Sequence, residues 1–412
     1  MNKNDMNILC DLAKKTMEVA NHPIQDKRRN LWADLNSMRS HEVPIFILDP
    51  QYMWDEVCPG LECQDPFLRT YENWMRLQLY HADFDDDFVT EKYLTMLPVM
   101  DRQEPHWRTW GILNEYNRIK ETKAFHLPEY ERTIKDIENL PIPDANIDQV
   151  KTEENMEKLR EATGGVIPVY LDCYPQFFYG LSYMQGIFYG VGNLLYQFYD
   201  APEYLHAFTK KFTDNVLKLF QKAEREGWFN SINRTYGDNP EIQAMAYNHE
   251  IANPNLPETV PMKRHWIYDC AQEYEGVSPE MFNETLITYM KPIYEQFGLL
   301  AYGCCENLTE KLTYLTQINN LRRVAVTAWA DDEKCASILG DRYVISWRPN
   351  PAEMVSNGFD EERIIRIVKR ARSIFEKNNC YWEVNLKDFI TVERDINRLK
   401  KWVQVVRQAL DS

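Results

Sequence analysis

The feature that most constrains this chain is the alternation in its last third. Short apolar runs (HWIYDCA, GLLAYGCCE, RRVAVTAWA, DRYVISWRP, CYWEVNL) take turns with helix-like stretches (SPEMFNETLITYMKPIYEQF, NLTEKLTYLTQI, DDEKCASIL, and a long helix expected from about Asp360 to Asn378). Strands joined through helices must run parallel, because a parallel neighbour is reached only by a crossover connection. Three earlier runs have the same character: VPIFIL from Val43, YLTMLPVM at 93–100, and VIPVYL after Gly165. Eight strands in strand–helix order predict an α/β fold, a (β/α)8 TIM barrel. A doubly wound open sheet is the rival, yet the chain has no G-x-G-x-x-G and no G-x-x-x-x-G-K-[ST], so nucleotide chemistry is not expected. Residues 1–42 read as an N-terminal helical extension, and 43–412 as one α/β barrel with an insertion around 101–163, where LPIPDANID interrupts the pattern. Further helices are expected from about Asp65 to Tyr80, over about 179–226 with a break near Asp200-Ala201-Pro202, and from about Asp395 to Leu410.

Charge narrows the partners. With 63 acidic and 47 basic side chains the net charge is −16, which repels phosphate backbones and anionic lipid. No run of about 18 apolar residues occurs, and the start, MNKNDMNILCDLAKK, has no signal-peptide pattern. Neither a nucleic-acid nor a membrane partner is expected, and the expected location is the cytoplasm. Nine cysteines at irregular spacing read as reduced thiols, with the adjacent pair Cys304-Cys305 standing apart.

In such a barrel the chemistry sits at the carboxyl ends of the strands. Polar groups recur there: Asp172 and Cys173; Asp269 and Cys270; Cys304, Cys305 and Glu306; Trp347, Arg348 and Asn350; Glu383, Asn385, Lys387 and Asp388. Cys304 or Cys305 with Glu306 suits a zinc site, since zinc takes sulfur and oxygen ligands; the same residues also read as a buried thiol and a capping carboxylate. Asp388 reads first as the partner of Lys387 or a solvated carboxylate, and otherwise as a metal ligand or a general acid or base. Alternation along a continuing strand would point Cys304 and Glu306 inward and Cys305 outward. No G-x-S-x-G elbow and no histidine pair is present, so hydrolase chemistry is not expected.

Several of these stretches, DCAQEYEGVSPEMFNETLITYMKPIYEQF, AYGCCENL, RRVAVTAWADDEKCASILGDRYVISWRPNPAEM and CYWEVNLKDFITVERDINRLKKW, resemble the uroporphyrinogen decarboxylase superfamily, which includes the cobalamin-dependent methyltransferases. The resemblance covers the chain from about residue 165 onward and implies the same barrel. Decarboxylases carry an arginine-bearing turn after the first strand, whereas here VPIFILDPQYMW has no arginine. Coenzyme-directed methyltransferases use His-x-Cys and a later Cys on zinc; Tyr302-Gly303-Cys304 and Lys387-Asp388 stand at those places, so only Cys304 matches. The resemblance therefore implies a corrinoid-dependent methyltransferase that moves a methyl group from a small methylated donor to the cobalt of a corrinoid protein. The rival readings are a non-catalytic or regulatory ligand-binding barrel and a uroporphyrinogen decarboxylase-like enzyme. The expected site has Glu306 and Asp388 as catalytic groups, with Cys304, Glu306 and Asp388 on zinc. Tyr302, Asp269, Trp347, Glu383 and Asn385 are expected to contact substrate. The expected partners are the corrinoid protein and the methylated substrate, with a homodimer left open.

Overall fold

The computed structural model describes residues 2–48, 60–102, 106–112, 117–118, 125–174, 177–232, 244–252 and 255–412. Each of the eight apolar runs contains a parallel strand: β1 (Ile45–Ile47), β2 (Leu94–Met96), β3 (Val169–Leu171), β4 (Trp266–Asp269), β5 (Leu299–Tyr302), β6 (Leu321–Thr327), β7 (Val344–Arg348) and β8 (Tyr381–Leu386). Six of them form one sheet in the order β1-β8-β7-β6-β5-β4, and β2 pairs with β3 in a separate arc. The ends of the chain meet in the larger arc, where Phe46 of β1 lies opposite Asn385 of β8.

Among the described residues no strand ladder joins the two arcs, so the sheet is α/β and parallel without a closed ring of backbone pairing. The edge amides of β1 are met by side chains. Asp87 Oδ2 accepts from Ile45 N at 2.8 Å and Asp86 Oδ2 from Ile47 N at 3.1 Å, which satisfies edge amides that burial would otherwise leave costly. At β3 the Asn230 side-chain amide donates to Leu171 O at 2.9 Å.

The strands are apolar throughout because both faces are covered. On the outer face, Ile267, Leu300, Val324, Ile345 and Val384 pack with Leu286, Ile364, Val368 and Leu399 of the surrounding helices. On the inner face, Phe46, Leu299, Ala301 and Val344 pack with Trp32 of the helix Ile24–Asn36, which plugs the amino end. The helix Lys3–Ala20 places Leu9, Leu12 and Ala13 in one cluster with Leu94, Val169 and with Met156 and Leu159 of the helix Gln149–Ala162, so the first helix belongs to the core of the small arc. Burying four to six such side chains contributes on the order of 10 kcal/mol before entropy is counted.

Helix ends follow local chemistry. Asp65 and Asp360 cap the helices Pro66–Phe84 and Glu361–Lys377, accepting from backbone N–H groups of Phe67 and Arg363. The aromatic helical region breaks at two places, Ala201-Pro202 as expected and also Gly190, giving Leu181–Tyr189, Val191–Asp200 and Pro202–Arg225. Gly190 has φ +81°, and a Cβ there would stand 2.6 Å from Pro128 O, so only glycine lets the neighbouring segment come this close.

Candidate active site at the carboxyl ends of the strands

The site is built where β5 stops. Gly303 follows Tyr302 with φ +103°, a Cβ there would lie 2.9 Å from the Ala325 Cβ, and the chain turns away from the strand direction. Alternation therefore ends at Tyr302, and the expectation that Cys305 points away from Cys304 is not met. Their sulfurs lie 3.5 Å apart, and both face Lys387: Nζ is 3.0 Å from Cys304 Sγ and 3.4 Å from Cys305 Sγ. Cys305 also donates to Asp388 Oδ2 at 3.1 Å, and that carboxylate lies 3.4 Å from Lys387 Nζ.

Glu306 locks this turn. Its Oε2 accepts from Cys304 N at 2.9 Å, and its Oε1 accepts from Ala271 N at 2.9 Å, tying the end of β5 to the end of β4. Arg348, at the end of β7, donates to Gly303 O at 3.1 Å and to Cys304 O. The turn is thus held from two sides before any substrate arrives, which is what preorganised electrostatics requires.

The electrostatics follow from crowding thiols and carboxyls around two cations. Hydrogen bonds from Cys270 and then Cys305 hold the Cys304 thiol well below its usual value, with Lys387 and Arg348 adding to them against burial. Cys270 and Cys305 move the other way, each first through its bond to Cys304, so they stay protonated as donors. Burial and Arg348 would lower the Lys387 ammonium, yet Cys304, Asp388 and Cys305 outweigh them and it is raised. Burial, followed by the charge of Cys304, raises Glu306. The result is a thiolate–ammonium pair under a carboxyl, with only 6% of the Lys387 side chain exposed against 45% of Asp388.

The remaining candidate residues separate into two layers. Glu383 and Asn385 face inward with Lys387, two residues apart along β8. Glu383 accepts from Ser346 Oγ at 2.7 Å and pairs with Arg323 at 2.5 Å, while Asn385 Nδ2 lies 3.5 Å from Glu383 Oε1. Arg348 Nε donates to Ser346 Oγ at 3.3 Å, so one polar chain runs from Arg323 to the Cys304 carbonyl. Tyr302, Asp269 and Trp347 lie instead in the layer between strands and helices. Tyr302 packs on Phe282 and Tyr294, and Trp347 on Phe375. Asp269 accepts from Tyr294 Oη at 2.6 Å, and its burial pushes the carboxyl up to about 7.

The residues present do not make the expected zinc site. Among the described residues no three His, Cys, Asp or Glu side chains gather to hold a metal ion. Both Glu306 oxygens are taken by backbone N–H groups, and a cation, Lys387, already stands against Cys304 Sγ. The residues that the sequence reading leaves without a role are Lys387, Arg348 and Cys270. The signal for Lys387 was present: Glu383, Asn385 and Lys387 share one face at period two. Residues 49–59, which include half of the stretch compared with the decarboxylase turn, lie outside the described residues. Among the described residues no helix is long and apolar enough to cross a membrane.

No protein-family model matches the chain, and no curated protein sequence matches it. Among solved structures, a methyltransferase from Methanosarcina mazei aligns with 92% of this chain and 98% of its own, at 11% identity and a TM-score of 0.52. Likeness at that identity speaks for architecture, and the chain shares the fold of that structure.

Proposed function

We propose that the chain is a methyltransferase that moves a methyl group from a small methylated donor, such as a methoxyaromatic, to the cobalt of a corrinoid protein. The observation that carries the reading is the buried Lys387 ammonium among Cys304, Cys305 and Asp388 at the strand ends. The fold shared with a structure described as a methyltransferase supports it. The corrinoid supplies a cobalt nucleophile able to attack the methyl carbon. The chain's own task is the leaving group. As the carbon–oxygen bond breaks, its electron pair stays on oxygen, and that charge is stabilised by the Lys387 ammonium or neutralised by its proton. Asp388, which is half exposed beside Nζ, is placed to return a proton from solvent. Glu306, with both oxygens engaged, positions the Cys304 turn and does not reach substrate. No step is routed through zinc, and protein purified without chelators should carry less than roughly a tenth of an equivalent of it by elemental analysis.

The test is to mix the protein with a cobalt(I) corrinoid protein and a panel of methoxyaromatics and methylamines. Methylcobalamin formed from at least one donor is the expected result. No methylcobalamin with any donor would favour a binding-only barrel, and turnover of a porphyrinogen would sink both readings.

A further inference from the structure

We propose that Cys304 and Cys305 form an oxidisable dithiol, a modification site that a peroxide-class oxidant converts into a disulfide between adjacent residues. Their sulfurs are 3.5 Å apart, close enough for small side-chain rotations to bring them to bonding distance. Both lie within 3.4 Å of Lys387 Nζ, which stabilises an attacking thiolate, and Cys305 donates to Asp388, which can take its proton. Cys305 is partly exposed and opens the pair to a small oxidant, whereas Cys335 and Cys380 are buried beneath the outer helices.

The step balances. Cys304 sulfur attacks one peroxide oxygen, the oxygen–oxygen bond breaks, and the departing hydroxide takes a proton from Lys387 and leaves as water. Cys304 is now a sulfenic acid. Cys305 sulfur attacks Cys304 sulfur, its proton passes to Asp388 and from there to the departing sulfenic hydroxyl, which leaves as a second water. The sum is two thiols and one peroxide giving one disulfide and two waters. Adjacent Cα atoms are held about 3.8 Å apart across a trans peptide, short of the usual disulfide span, so the product is strained and easily reduced. This makes the pair a reversible cap. Cys270 is the competing partner, because it also bonds to the Cys304 thiolate, but its sulfur is shared with the Gln272 side-chain amide.

The experiment treats the folded full chain with hydrogen peroxide, alkylates remaining thiols under denaturing conditions, and reads the peptides by mass spectrometry. The expected result is loss of two hydrogens and of both alkylations on the peptide carrying Cys304 and Cys305, restored by a mild dithiol reductant, with Cys335 and Cys380 alkylated throughout. In Cys305→Ser, Cys304 should stop at the sulfenic acid and be trapped by a cyclic 1,3-dione. A Cys270–Cys304 crosslink, or full alkylation of both residues at peroxide levels that oxidise a free cysteine peptide, would overturn the proposal. The readout is independent of methyl transfer, so its failure and that of the proposed activity are separable.

Discussion

Of the buried cations on the inner face of the sheet, Arg323 and Lys387 are treated most differently. Arg323 in β6 is closed in: it pairs with Glu383 at 2.5 Å, donates to Asn36 Oδ1 at 2.6 Å, and has the Trp32 ring beside it at 5.8 Å. Lys387, at the end of β8, faces two sulfurs and a half-exposed carboxylate. Planar guanidinium against carboxylate and amide gives fixed, directional bonds; a flexible ammonium against polarisable sulfur gives contacts that can be traded. Burial of charge alone therefore does not mark a site. What marks it is a partner set that chemistry can exchange.

The largest effect should come from the closed cation. Arg323→Met leaves Glu383 buried and uncompensated, and should lower unfolding free energy by about 3–5 kcal/mol in urea titrations. A loss under about 1 kcal/mol would mean that solvent reaches the pair, and the contrast would fail. Lys387→Met should do the reverse, lowering the methyl-transfer rate about 10²–10³-fold while costing less stability than Arg323→Met. An additional readout is the thiolate absorbance near neutral pH, which should fall in Lys387→Met because Cys304 loses a cation.

Asp269 is a buried acid in the same molecule, on the outer side of β4. Asp269 titrates near 7 in the folded chain, above the unfolded value, so between them the folded state holds a proton that the unfolded state has released. Stability should therefore fall as pH rises from about 4 to about 7, by up to about 1.4 kcal/mol per pH unit. Asp269→Asn should flatten that slope, and an unchanged slope would move the titration to another group. The smallest effect is expected at Tyr302, whose buried hydroxyl has no hydrogen-bond partner among the described residues. Tyr302→Phe should shift stability by no more than about 0.5 kcal/mol. A large loss of activity in that variant would place the hydroxyl on substrate.

The strands were legible because parallel strands covered on both faces read as unbroken apolar runs, and the capped helices because Asp65 and Asp360 precede their amphipathic stretches. That same doubly buried character hid which face each strand-end residue occupies. Tyr302 and Trp347 sit among apolar neighbours that look alike in sequence whichever way they point. The fate of Cys305 was hidden for another reason, since the turn at Gly303 depends on how near Ala325 of the next strand comes, a contact between distant parts of the chain. The treatment of the β1 edge was equally out of reach, because its amides are satisfied by side chains of Asp86 and Asp87, which read in sequence as ordinary loop acids.

Those two carboxylates have a mechanical consequence. Each is a junction and not a single bond: Asp86 Oδ2 also meets His81 Nδ1 at 3.1 Å, Asp87 Oδ1 meets Arg407 at 3.2 Å, and Asp87 N donates back to Ile45 O at 2.8 Å. The edge of β1 away from Lys387's own strand is thereby tied to a helix end through His81 and to the last helix through Arg407, so a strand without a neighbour on that side among the described residues is braced by elements from three parts of the chain.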